Sequence, residues 1–324
     1  MAYPNPFHSG APFDVARFPQ DPRPISWRQP VVAIGNFDGV HRGHLKILDR
    51  VCRRADERGG TPLVLTFDPH PPRVIRPDRA PALLMTPEQR IAALRQTGMA
   101  GVAVVTFTAG LAQWAPERFV QDVLVDWLRV AEVWVGGNFL FGRDRAGNFT
   151  LLRTLGQSLG FRVEKIDAVR YKDFVVSSTR VRRLVSEGRV DEAGALLGHH
   201  FAVDGEIVAG DARGREIGFP TANLVTANEL LPPHGVYATV MTLGGRLHAA
   251  VTNIGVRPTF GDGLRPSIET HLLDASADLY GARARLSFVQ RLRDERAFES
   301  VAALAAQIAA DCAAARDLFE RVSL

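Results

Sequence analysis

The chain has 324 residues, 46% of them hydrophobic and 23% charged, with a formal net charge of +4, the composition of a globular protein long enough for two domains. No apolar run reaches the length of a membrane span, and no basic stretch followed by a hydrophobic one opens the chain, so neither a membrane segment nor a signal peptide is expected. The short arginine pairs Arg53-Arg54 and Arg182-Arg183 lack interleaved aromatics and exclude a nucleic-acid-binding pattern, while the two cysteines, Cys52 and Cys312, fall on or beside the apolar faces of predicted helices as free thiols, which suits a reducing cytoplasm.

In chain order, residues 1–30 are rich in proline and polar residues and read as an irregular lead-in, with Phe7, Phe13, Phe18 and Trp27 available to pack on a domain surface. Val31–Ile34 is an apolar run of strand type, and Leu45, Leu48, Val51, Cys52 and Ala55 recur at helical spacing. Between them lies GNFDGVHRGH, residues 35–44. A strand running through a glycine-rich turn into a helix aims backbone N–H groups at an anion, and a helix N-terminus favours negative charge. His41 and His44 sit three positions apart at that helix start, where both can donate to phosphate oxygens, and Gly43 leaves space near the backbone. Taken alone, either histidine is equally an exposed polar residue at a helix start. No GxxxxGK[ST] occurs, so this is not a Walker-type loop.

Strand and helix then alternate. Residues 61–67 predict a strand, DPHPPRV a proline-broken loop, Thr86-Pro87 with Gln89 a helix start, 102–107 a strand, 116–128 a helix and 133–135 a strand entering GGNFLFGRDRAGN. A helix near 150–159, a strand near 161–166 and a further helix opened by VSSTRVR, residues 176–182, follow. This β-α-β order predicts a parallel sheet with ligands bound beyond the carboxyl ends of its strands, so the segments 35–44, 68–72 and 136–148 are expected along one edge. Ser177, Ser178 and Thr179 can cap the last helix or hold phosphate, and Arg182 can fork onto phosphate.

Beyond Gly188 the pattern changes. A short helix at 190–197 precedes strands at 201–208, 235–243, 247–254, 267–273 and 284–289, with Gly244-Gly245 as a hairpin signal, which predicts a small antiparallel barrel. Phe298, Val301, Leu304, Ile308, Cys312, Leu318 and Phe319 form one face of a closing helix. In GREIGFPTAN, residues 214–223, the Thr221 hydroxyl and Asn223 amide are hard oxygen donors of the type Mg²⁺ takes together with phosphate and water; the same residues also suit a capped turn. Glu269 lies mid-strand in an apolar segment, where a carboxylate needs a reason unless it faces outward.

The segment 35–44 resembles the HxGH signature of the nucleotidylyltransferases, in the longer form of the FAD synthetase branch, and VSSTRVR resembles a second element of that superfamily. GxxxGxxxGFPTAN, GVYA, NIGVRPTF, ETHLLD and Leu279-Tyr280, in that order, resemble riboflavin kinase. Over residues of about 31 to 320 the chain is therefore similar to the bifunctional riboflavin kinase/FAD synthetases. The resemblance implies a Rossmann-like α/β domain over residues 1–184 and a β-barrel domain with a closing helix over 185–324. It implies phosphorylation of riboflavin to FMN, then adenylylation of FMN to FAD with release of pyrophosphate, with ATP as co-substrate and Mg²⁺ as cofactor. Gly35, Asn36, Phe37, Asp38, Gly39, Gly43, Ser177, Ser178, Thr179, Gly214, Gly218 and Pro220 would bind nucleotide. His41, His44 and Arg182 would serve adenylyl transfer, Thr221 and Asn223 the metal, and Glu269 would be the base of the kinase. Asp68, Asn138 and Arg293 would lie on the flavin side, Asp68 and Asn138 equally on the adenine side. Oligomeric state is not implied. The alternatives are another adenylyltransferase with an accessory barrel, against which GNFDG and PTAN argue, and a non-catalytic flavin-binding protein, against which His41, His44, Thr221, Asn223 and Glu269 argue.

Overall fold

The computed structural model describes residues 13–209, 214, 217–258, 264–274 and 280–321. Phe7, Thr259, Phe260, Leu279 and Gly210 of the motifs above lie outside the described residues. The chain divides into two compact units, one formed by Tyr3–Ala82 and Pro87–Ser177, the other by Ser178–Leu324 with the segment Leu83–Thr86.

The first unit is built on strands β1 (Asp14–Phe18), β2 (Val31–Ile34), β3 (Pro62–Asp68), β4 (Gly101–Thr106) and β5 (Glu132–Gly136), a hairpin of β6 (Leu140–Phe141) and β7 (Gly147–Asn148), strand β8 (Arg162–Ile166), and a second hairpin of β9 (Arg170–Tyr171) and β10 (Phe174–Val175). Six of them form one parallel sheet in the order β1-β4-β3-β2-β5-β8. The helices are α1 (Arg42–Arg58), α2 (Pro71–Ile75), α3 (Pro87–Arg95), α4 (Ala109–Ala112), α5 (Pro116–Phe119), which continues as wider π-type turns over Val120–Trp127, and α6 (Phe149–Leu159). From β2 the chain steps outward through β3 to β4, then returns to the other side of β2 as β5. The turn after β2 thus sits where the strand order reverses, the place at which open α/β sheets bind ligands.

Among the described residues of the lead-in, 14–18 form the edge strand β1, paired in parallel with β4, while 19–30 carry no helix or strand and Trp27 is completely buried. The closeness is licensed by Gly101: a Cβ there would fall 2.6 Å from the Asp14 carbonyl oxygen and 3.0 Å from the Trp27 indole nitrogen. The proline loop after β3 likewise winds into the short helix α2, for which Pro71 at the first position supplies the φ angle.

At the N-terminal end of β5, Glu132 has its side chain fully buried. Arg54 Nε lies 3.0 Å from both carboxylate oxygens, Trp134 Nε1 donates to one of them at 2.9 Å, and Arg58 Nη1 stands 3.6 Å away. These contacts anchor the C-terminal half of α1 to β5. Replacing Glu132 with leucine leaves the buried Trp134 N–H without an acceptor, which costs about 1–3 kcal/mol. The expected outcome for Glu132→Leu is a lower denaturant midpoint by tryptophan fluorescence, a probe confined to this unit because all four tryptophans, 27, 114, 127 and 134, lie in it.

The second unit begins with α7 (Ser178–Ser186) and α8 (Val190–Leu197), followed by β11 (Phe201–Val208), β12 (Ala222–Thr226), β13 (Gly235–Leu243), β14 (Arg246–Pro258), β15 (Leu264–Leu272), β16 (Arg283–Arg293) and the closing helix α9 (Val301–Arg321). The strands close a barrel in the order β11-β12-β15-β14-β13-β16, with every adjacent pair antiparallel. Strand β12 is not foreseen as a strand, since its Asn, Thr and single buried Leu224 carry no apolar alternation; pairing with β11 and β15 makes it one. Gly244 and Gly245 both have positive φ, as a two-residue hairpin turn requires. Inside the barrel, Tyr237 packs edge-on to Phe288, and the fully buried hydroxyls of Thr239, Thr252 and Thr270 form a ladder at 2.7 and 2.9 Å. Helix α9 covers an outer face, where Cys312 and Ala315 meet Val236, Ala238 and Val251. Of the face expected for it, Val301 is exposed and Phe298 precedes the helix.

Candidate functional site

The 35–44 turn is held against the first unit's core rather than displayed as a loose loop. Phe37, Asp38 and Val40 are buried, and Phe37, Gly39 and Val40 have φ of 51°, 88° and 37°. Two non-glycine residues at positive φ within one four-residue turn store backbone strain of the kind found at ligand sites. A Cβ on Gly35 would press on the Phe37 ring at 3.2 Å. With the side chains of Phe37 and Asp38 turned inward, Phe37 has its backbone to offer an anion.

His41 is the N-cap of α1, and its Nδ1 accepts the backbone N–H of His44 at 3.2 Å. A nitrogen that accepts carries no proton, so the His41 proton resides on Nε2, which can donate. The His41 and His44 rings stack at 3.6 Å with 11° between planes, and Phe37 flanks His44 at 5.0 Å. Burial, seconded by the neighbouring His41, pushes the His44 pKa well below the ordinary histidine value. The space at Gly43 is occupied from the protein side: a Cβ there would stand 3.1 Å from His41 Cε1 and Nδ1, and 3.8 Å from the Val176 carbonyl. Gly43 therefore admits the His41 ring, and it brings the residue preceding Ser177 against the turn.

Asp68, at the end of β3, is held by Arg17 of β1 at 3.4 Å, so the strand missed in the sequence supports a residue singled out from it. Asn138 lines a cleft of about 360 Å³ with Gly137, Phe139, Phe149 and Lys165 beyond the ends of β5 and β8. Asn36, Asp68 and Asn138 thus all follow carboxyl ends of the parallel strands. Ser178, Thr179 and Arg182 open α7 in the second unit, with Arg182 half-buried.

In the barrel, the register aligns Asn223 of β12 with Glu269 of β15, and Glu269 with Asn253 of β14. Directly paired residues of antiparallel strands share a face, so these three side chains form one row. Glu269 is half-buried, between the buried Ile268 and Thr270 that point into the barrel. Asn253 joins this row by register, and the sequence offered it only within NIGVRPTF, as a polar residue amid β-strand apolars. Beside the row, Phe219 N–H donates to the Gly214 carbonyl at 2.7 Å, and a Cβ on Gly214 would collide with the Phe219 carbonyl oxygen and lie 3.3 Å from the Thr221 hydroxyl. His271 Nδ1 donates to the Pro220 carbonyl at 2.8 Å, pinning the PTAN segment to β15. Arg293 is already occupied: Nε and Nη2 grip the buried Asp311 of α9 at 2.8–3.1 Å. Its guanidinium ties the 293–296 segment to the closing helix.

The first unit thus carries a histidine-bearing helix start at the switch point of a parallel sheet, and the second a carboxylate set among amides on a closed barrel. A family model described as FAD synthetase matches residues 24–180, and one described as riboflavin kinase matches 197–319. The bifunctional riboflavin kinase/FMN adenylyltransferase of Escherichia coli (strain K12) is 39% identical over 290 residues, covering 89% of this chain and 92% of its own length; that of Pseudomonas fluorescens is 41% identical over 295 residues, with the same coverage. A crystal structure described as a macrolide-efflux protein from Streptococcus pneumoniae superposes with a TM-score of 0.84 at 27% identity, over 93% of this chain and 98% of that one; among the described residues here, no helix is long and apolar enough to cross a membrane. The chain belongs to the bifunctional riboflavin kinase/FMN adenylyltransferase family, and its activities are the phosphorylation of riboflavin and the adenylylation of FMN.

The depressed pKa of His44 has a measurable consequence. Below pH 6.5 the unfolded chain protonates this imidazole while the folded one resists, so the unfolded state binds more protons and stability falls as pH is lowered from that point, by at most about 1.4 kcal/mol per pH unit. Tryptophan-monitored unfolding between pH 7 and 5 should show this slope, reduced in His44→Gln. An equal slope in both proteins refutes the neutral state of His44.

Proposed function

We propose that adenylylation takes place at the 35–44 turn and phosphorylation at the Asn223–Glu269–Asn253 row. The observation that carries this assignment is the separation of two chemically different residue sets into two compact units. One holds stacked imidazoles at a helix N-terminus, the other a carboxylate flanked by two amides. In the first, an FMN phosphate oxygen attacks the α-phosphorus of ATP and pyrophosphate leaves. No protein nucleophile is required, and the Nε2–H of His41, with His44 and the N-terminus of α1, stabilises charge developing on the phosphates. Gly35, Asn36, Phe37, Asp38, Gly39 and Gly43 shape the phosphate seat, Ser177 extends it, and Asp68 and Asn138 contact flavin or adenine. The aromatic cleft around Asn138 supports a flat ring there.

In the barrel, Glu269 takes the proton of the ribityl hydroxyl as its oxygen bonds to the γ-phosphorus and ADP departs. Gly214, Gly218 and Pro220 shape the ATP loop, and the 293–296 segment, positioned through Arg293, borders the flavin. The Thr221 hydroxyl and the Asn223 amide oxygen suit Mg²⁺, which takes hard oxygen donors and completes its shell with water and phosphate. When bound, it neutralises phosphate charge. The products are FMN, ADP, FAD and pyrophosphate.

Two variants dissociate the halves. His44→Ala is expected to accumulate FMN with FAD formation lowered about 10²–10³-fold, and Glu269→Gln to leave riboflavin unphosphorylated, lowered about 10²–10⁴-fold, while still converting added FMN to FAD. Chromatography of both reactions on each purified variant decides; wild-type FAD formation by His44→Ala, or FMN formation by Glu269→Gln, overturns the respective role.

A division of activities at residues 184/185 falls inside α7, whose buried Val181, Leu184 and Val185 form its apolar face. A fragment 178–324 keeps that helix whole and is expected to fold and phosphorylate riboflavin. An insoluble or inactive fragment, where the full chain works, refutes the independence of the second unit.

A further inference from the structure

Arg90 of α3 belongs to no motif above, yet it is 5% exposed. Its Nη1 donates to the Asn36 carbonyl at 3.2 Å and its Nη2 to the Phe67 carbonyl at 3.2 Å, which lie just beyond β2 and near the end of β3. Its Nε is buried without a hydrogen-bond partner, and no carboxylate lies within ion-pair distance among the described residues. Burial lowers its pKa, and the more distant Asp68 and Asp38 counter this. Burying a cation on two neutral carbonyls is costly, and an aliphatic side chain would fill a helix–sheet contact without that cost.

What the guanidinium does is turn a peptide. The Asn36 carbonyl receives a second inward bond, from the fully buried Thr66 hydroxyl at 3.2 Å. The Asn36–Phe37 peptide is trans, because the cis bonds of the chain are at Phe18-Pro19 and Asp68-Pro69. In a trans peptide the C=O and the following N–H point in opposite directions. Fixing the Asn36 oxygen inward therefore fixes the Phe37 N–H outward, and no acceptor for that N–H exists among the described residues. The positive φ of Phe37 is the conformational cost of this orientation.

We propose that Arg90 is a positioning residue for adenylyl transfer: with Thr66 it clamps the Asn36 carbonyl and so presents the Phe37 N–H as a fixed donor to an anionic oxygen of the nucleotide. It touches neither substrate. The inference rests on the assignment of adenylylation to this turn.

The test measures FAD formation from added FMN and ATP, with riboflavin phosphorylation on the same preparation as the folding control. For Arg90→Met, the KM for ATP is expected to rise about 10-fold and kcat to fall about 10-fold, since a misplaced binding group typically costs up to 10²-fold. The KM for FMN and the kinase rate should stay within two-fold, and Arg90→Lys should recover part of the loss. Unchanged FAD kinetics in Arg90→Met, or a fall in kcat with an unaltered KM for ATP, overturns the proposal, because a merely structural arginine lowers only the active fraction. Should Arg90→Met fail to fold, Thr66→Val decides: it removes one of the two clamping bonds and keeps the charge, and a rise of about 2–10-fold in the KM for ATP is expected. An unchanged value overturns the clamp. His44→Ala run in parallel separates the two levels. If it is inactive while Arg90→Met is normal, only the clamp fails; if it forms FAD at the wild-type rate, the assignment of the turn fails.

Discussion

Where a parallel strand ends and a helix begins, the last carbonyls of one and the first amides of the other have no partner in either element. In the first unit that junction is resolved in two opposite ways within ten residues. The Asn36 carbonyl is drawn inward by Thr66 and Arg90, and one amide of α1 is capped by His41 Nδ1. What faces outward is the Phe37 N–H, beside the His41 ring and the N-terminus of α1. The anion-binding role proposed for the turn rests on this accounting. It depends on carbonyls being satisfied from below more than on any positively charged group facing out.

The barrel solves its problem through register. A β-barrel of six antiparallel strands alternates inward and outward side chains, so a row of paired residues either all point to the lumen or all point away. Thr239, Thr252 and Thr270 take the inward sites and satisfy one another. Asn223, Glu269 and Asn253 take the neighbouring outward row, beside the face covered by α9. A one-residue slip of β15 would exchange Glu269 for Thr270 and place a carboxylate inside a dry barrel. The hydroxyl ladder and the His271–Pro220 bond oppose that slip from two sides.

Charges buried in the two units are handled differently according to what they do. Glu132 faces two arginines and an indole N–H, and Asp311 is gripped bidentately by Arg293; both pairs fasten a helix to a sheet. Arg90 has carbonyls in place of a carboxylate. A paired charge stabilises its own neighbourhood, whereas a cation left on neutral dipoles fixes their direction and leaves its field to be felt nearby.

The sequence by itself determined the class of each half, the turn at 35–44, most barrel strands and the order of the motifs. Periodicity, glycines and histidine spacing are local signals and survive without knowledge of partners. The residues that stabilise those motifs were not legible. Strand β1 lacks apolar alternation and exists because β4 accepts it, and β12 exists because β11 and β15 flank it. Arg90 falls in no motif of the sequence, because its reason lies in two carbonyls 54 and 23 residues away. Likewise Arg293, read as a flavin-side residue, is spoken for by an aspartate 18 residues later. Sequence pattern specifies which face of an element is apolar; only the assembled structure decides which buried polar atoms meet, since hydrogen bonds between distant residues leave no periodic trace in either segment.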